Sequence, residues 1–137
     1  MRVVGLGRDE RGDDGIGLAV CRRLRERGVA CQPLPDTTQL VELLDGTPCI
    51  VIDAVLADPP GQLVELRVDE LAGASAVSTH AMSLPEAIGL AEVLHGPTPV
   101  RILGITIAPP GPEPGLSPAV QAALEPAVAR VQAWLDA

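Results

Sequence analysis

At 137 residues the chain has the length of one domain, residues 1–137, large enough to bury a core and too short to hold a second cofactor domain. Ten basic residues against eighteen acidic ones give a net charge of −8, and Trp134 is the lone aromatic, so the chain is ill suited to phosphate backbones, base stacking or an anionic membrane surface. Leu, Val, Ile and Ala must fill the interior, and Cys21, Cys31 and Cys49, odd in number and set in apolar stretches, read as buried free thiols of a reducing compartment.

Residues 1–6 read as a strand, with none of the charged, apolar and small-residue regions of a secretory signal ahead of it. No apolar run reaches membrane-spanning length, and a cytoplasmic location is expected. Gly5-Leu6-Gly7-Arg8-Asp9-Glu10-Arg11-Gly12-Asp13-Asp14-Gly15-Ile16-Gly17 then forms a glycine-punctuated acidic loop leading into a helix over 15–27, with Ile16, Val20 and Leu24 inward and Gly28 as its stop. A dinucleotide fingerprint would need glycine where Glu10 stands, and a P-loop would need Gly-Lys-Ser/Thr where Gly12-Asp13-Asp14 stands. Four carboxylates offset by Arg8 and Arg11 favour a cation as guest. Asp13 or Asp14 has a second reading as the cap of the helix, and Asp9 and Glu10 read as solvated charges.

Residues 30–34 suit a second strand, and Asp36-Thr37-Thr38-Gln39 resembles a capping box before a short helix through Leu40, Leu43 and Leu44 that halts at Gly46. Cys49-Ile50-Val51-Ile52 is a continuous apolar run of the kind covered on both faces, and Asp53 ends it. Asp58-Pro59-Pro60-Gly61 is a turn, after which residues 62–68 alternate as a half-exposed edge strand would. Ser83-Leu84-Pro85-Glu86 combines a capping box with proline in the first turn, with Ala87, Ile88, Ala91 and Leu94 following at helical spacing and His95 placed to favour the helix C-terminus. Residues 100–107 form the last strand, the proline-rich 108–115 an exposed loop, and Ser117-Pro118 and Glu125-Pro126 two helix starts, hence a short helix and then a final one. Alternating strands and helices imply an α/β sandwich with a mostly parallel sheet.

In such sheets ligands gather beyond the carboxyl ends of the strands, where Asp14, Asp53 and His80 all fall. Two carboxylates and an imidazole form a mixed oxygen and nitrogen set for a divalent transition metal, with coordination positions left for water or substrate. Each has a plainer explanation alone, as a cap, a turn acceptor and a loop histidine; their joint placement is what points to a metal.

Four segments in order resemble the nickel-iron hydrogenase maturation endopeptidases: Val4-Gly5-Leu6-Gly7 with Gly12-Asp13-Asp14-Gly15-Ile16-Gly17; Ile52-Asp53-Ala54; Ser78-Thr79-His80-Ala81-Met82-Ser83-Leu84-Pro85; and Gly115-Leu116-Ser117-Pro118-Ala119-Val120 with Glu125-Pro126-Ala127. The resemblance implies a three-layer sandwich with a twisted five-stranded sheet and helices on both faces. It also implies that Asp14, Asp53 and His80 bind metal and carry the catalysis, with nickel held by the hydrogenase large-subunit precursor as the recognition element for removal of its C-terminal peptide. A monomer acting on that precursor is expected. Arg8 stands where the family usually has asparagine, and Asp36-Thr37-Thr38 lacks the family's glycine pair. Two rival functions use the same acidic edge: a nickel-dependent binding or chaperone module that does not cut, and a metal-dependent hydrolase of a small substrate.

Overall fold

The computed structural model describes residues 1–71 and 82–137. Five strands form one sheet in the order β2-β1-β3-β5-β4: β1 (Arg2–Leu6), β2 (Gln32–Leu34), β3 (Cys49–Leu56), β4 (Leu63–Leu66) and β5 (Val100–Ile107). β1, β2, β3 and β5 run parallel, whereas β4 closes the edge antiparallel to β5. The helices are α1 (Ile16–Glu26), α2 (Leu40–Leu43), α3 (Val68–Leu71), α4 (Leu84–His95) and α5 (Pro118–Asp136).

Strand alternation sends successive side chains to opposite faces, which divides the core in two. Ile50, Ile52, Leu103 and Ile105 pack with Ile16, Val20 and Leu24 of α1 and with Val128 and Val131 of α5. Val4, Val51 and Ile102 pack on the other face with Leu40 of α2 and with Leu84, Ala87 and Ala91 of α4. The expected three layers, mostly parallel sheet and strand count are all present. Cys21, Cys31 and Cys49 are buried and unbridged. No helix among the described residues is long and apolar enough to cross a membrane.

Local sequence signals hold at several element starts. The Ser83 hydroxyl accepts from the Glu86 amide at 3.2 Å while the Glu86 carboxylate accepts from the Ser83 amide at 3.2 Å, a complete capping box before Pro85. Asp36 accepts from both the amide and the hydroxyl of Thr38, at 2.9 and 2.8 Å, and so starts the turn that leads into α2.

Four expectations are corrected. Asp53 does not end its strand: β3 continues to Leu56 because β5 pairs with it as far as Leu56↔Ile107. The edge strand is shorter than 62–68, and Val68 opens α3 instead. The two helices expected after Ser117 are one, because Val120, Ala123, Leu124, Ala127, Val128 and Val131 make a continuous buried stripe across Pro126, and that burial outweighs the backbone hydrogen bond the proline removes. Leu94, which follows Ala87, Ile88 and Ala91 at helical spacing, does not join the buried stripe of Leu84, Ala87 and Ala91 but is exposed.

Candidate functional site

The chain leaves β1 to build α1 and β2 on one side, while β3 lies on the other, so β1 and β3 flank the point where strand order reverses. Crevices at such points open at the carboxyl ends of the strands. The pairing of β1 with β3 stops at Gly5↔Ile52, whereas Asp53 stays paired with Gly104 of β5. Asp53 is therefore the first residue of β3 beyond its pairing with β1.

The loop after β1 carries Asp14 back over that step. Residues Asp9–Gly15 wind as a 3-10 segment broken at Arg11 and Gly12. Gly7, at φ +143°, lets the loop cross itself: a Cβ there would sit 2.1 Å from the carbonyl oxygen of Asp14. Gly17 lets the first turn of α1 press onto the strand backbones, since a Cβ there would lie 2.2 Å from the Leu6 carbonyl oxygen and 2.7 Å from that of Ile52. Backbone contact at these two glycines is what holds Asp14 near Asp53.

Asp14 is buried, 3 % exposed, and its Oδ2 accepts from the Arg8 amide at 3.1 Å. Asp53 is half-buried, and its Oδ1 accepts from the Ala54 amide at 2.8 Å. Burial, reinforced by the negative charge of Asp14, pushes the Asp53 carboxyl up to about 7, and the Ala54 amide offsets only part of that rise. No arginine pairs with Asp53 among the described residues. A carboxyl whose charge is disfavoured by burial and by a neighbouring carboxylate is one that a divalent cation would relieve.

The other loop acids are committed elsewhere. Asp9 makes a double hydrogen bond to Arg22 of α1, at 3.0 and 3.1 Å, and Glu10 pairs with Arg8 at 3.1 Å. Arg22 was not among the cations that the sequence offered to offset this loop. Asp13 caps no part of α1: its carboxylate accepts from the amide and the hydroxyl of Ser117, both at 2.7 Å, tying the loop to the start of α5. Ser117-Pro118 was legible as a helix start, but its partner 104 residues away was not. Between the loop and the proline-rich segment lies a cavity of about 390 Å³, lined in part by Asp9, Arg22, Pro114, Leu116 and Leu124.

His80 lies outside the described residues, as does Ser78. Among the described residues no three His, Cys, Asp or Glu side chains come together to hold a metal. Asp14 lies beside Asp53, and two carboxylates are donors of the charge and chemistry that a divalent cation takes. Of the residues the resemblance names, the structure brings these two together.

A family model described as hydrogenase maturation protease matches residues 36–134. The hydrogenase 2 maturation protease of Escherichia coli is 31 % identical over 156 residues, spanning 97 % of this chain and 88 % of that protein. Among solved structures, the [NiFe] hydrogenase maturation protease HybD of Thermococcus kodakarensis superposes with a TM-score of 0.80 at 28 % identity, covering 98 % of this chain and 99 % of that one. The E. coli hydrogenase maturating endopeptidase HybD shares the fold with a TM-score of 0.79 at 24 % identity, covering 99 % of this chain and 93 % of its own.

Proposed function

The chain belongs to the hydrogenase maturation protease family, and from that premise we propose that it is an endopeptidase removing the C-terminal peptide of a nickel-loaded [NiFe] hydrogenase large-subunit precursor. The observation that carries this reading is the pairing of Asp14 with Asp53 at the step where β3 outruns β1. The nickel belongs to the substrate. In this reading Asp14, Asp53 and His80 take hold of the ion that the precursor presents, and the scissile peptide lies beside them.

The chemistry of the pair supports such recognition. Near neutral pH Asp53 is shared between its protonated and ionised forms, because Asp14 and burial both disfavour its charge. A docking cation reverses that balance, so Asp53 gives up its proton as the metal arrives, and recognition strengthens as pH rises through about 7. A precursor without metal leaves the two carboxylates in mutual repulsion and is held less well. Both carboxylates are anchored by backbone amides, those of Arg8 and Ala54, so their orientation is set before the substrate arrives. Thr38 is occupied in the Asp36 turn and serves the backbone there. The reading assigns no serine or cysteine nucleophile, and the three cysteines are buried.

The test is mass spectrometry of a nickel-loaded precursor incubated with this protein. Loss of the C-terminal peptide is expected with the wild type and abolished in Asp14→Asn and His80→Ala, with far-UV circular dichroism unchanged in both variants. A stable complex with the tail intact would replace the proposal with a non-cutting chaperone. Undiminished cleavage by both variants would remove the metal-binding assignment.

A further inference from the structure

Among the described residues the large apolar side chains left exposed are Met1, Leu90, Val93 and Leu94, and the last three share one surface of α4. Leu90 is 39 % exposed, Val93 82 % and Leu94 57 %. Their spacing of three and four residues gathers them into one stripe, away from Leu84, Ala87 and Ala91, which are buried in the core. A helix that already buries one apolar face and shows a second one to water marks an interaction surface.

The carboxylates of α4 itself are Glu86 and Glu92, and the helix has neither lysine nor arginine. Residues 68–100 contain Asp69, Glu70, Glu86 and Glu92 and neither lysine nor arginine. Glu86 lies one turn before Leu90 and Glu92 directly before Val93, and both are exposed. A two-fold contact between copies of this chain would set Glu86 and Glu92 near their own counterparts in a protein of net charge −8, which disfavours self-association. Basic side chains on a different protein complement the same surface.

We propose that this outer face of α4 is a docking surface for the large-subunit precursor, taking an apolar ridge flanked by Lys or Arg side chains. The proposal rests on the function proposed above and adds to it a grip away from the metal. α4 enters β5, which runs parallel to β3, so the helix starts at the carboxyl edge of the sheet where Asp14 and Asp53 lie. From Ser83 the helix rises about 10 Å to Leu90 and about 15 Å to Val93. A partner held on this stripe keeps its tail close to the carboxylate pair.

The experiment is steady-state processing of the nickel-loaded precursor by Val93→Glu and by the milder Leu90→Ser/Val93→Ser, together with direct titration of the same precursor onto each protein. An increase in KM and Kd of about tenfold with kcat unchanged is expected, along with weaker wild-type binding as salt rises. Wild-type KM and Kd in both variants would overturn the proposal. So would a concentration-dependent dimer, measured by sedimentation, that Val93→Glu dissolves. If the wild type binds the precursor without cutting it, the endopeptidase reading fails, and the titration alone still decides whether α4 is the docking surface.

Discussion

Replacing Asp53 by asparagine should stabilise the metal-free protein, and more so as pH rises. The carboxyl titrates near 7 in the folded chain against 3.8 as its ordinary value, so the folded state holds a proton that the unfolded state releases between those values. Folding stability is therefore intact below the unfolded value, falls as pH climbs, and reaches its full loss above the folded one. The displacement amounts to about 4 kcal/mol at pH 8 and about 2 kcal/mol at pH 5.5, at 1.36 kcal/mol per pH unit. Asparagine cannot ionise and keeps an Oδ1 to accept the Ala54 amide. Its added N–H donors cost roughly 1–2 kcal/mol at a partly buried position, and this cost is the same at both pH values. The increment between pH 5.5 and 8 is thus a clean readout of about 2 kcal/mol. For a chain of this size that corresponds to a rise in relative Tm of roughly 6–10 °C. Urea melts of both proteins in chelator at the two pH values measure it. A variant advantage that stays constant or shrinks toward pH 8 would refute the account of Asp53 as a carboxylate held against its charge by burial and Asp14.

Gly17→Ala should destabilise the fold by roughly 3 kcal/mol or more, because the new methyl meets backbone oxygens of two strands that cannot yield separately; urea denaturation measures the loss. Asp13→Ala should cost about 1–3 kcal/mol by stranding the Ser117 amide and hydroxyl, and hydrogen exchange at the first turn of α5 should accelerate while α1 stays protected. Pro126→Ala should raise thermal stability by about 1–3 kcal/mol, since it restores a helical donor inside an already continuous helix; an unchanged or lower Tm would mean that the proline is needed where it stands.

Much of the architecture follows from short-range signals. The apolar run from Cys49, the period of Ile16, Val20 and Leu24, and the capping box at Ser83 and Glu86 each act within a few residues, and each element appears where that physics demands. The alternation of such elements suffices for a mostly parallel α/β sheet, and the position of Asp14 after the first strand and of Asp53 directly after the apolar run from Cys49 suffices to draw attention to them. Pairing between distant segments decided the rest. β3 outlasts its apolar run because β5 supplies hydrogen bonds beyond Asp53, and α5 runs through Pro126 because one buried stripe rewards continuity. Asp13 reaches Ser117 instead of α1, and Arg22 takes Asp9, through contacts that no local pattern encodes. The raised proton affinity of Asp53 is tertiary in origin: a carboxylate acquires it only when folding removes water and sets a second charge beside it.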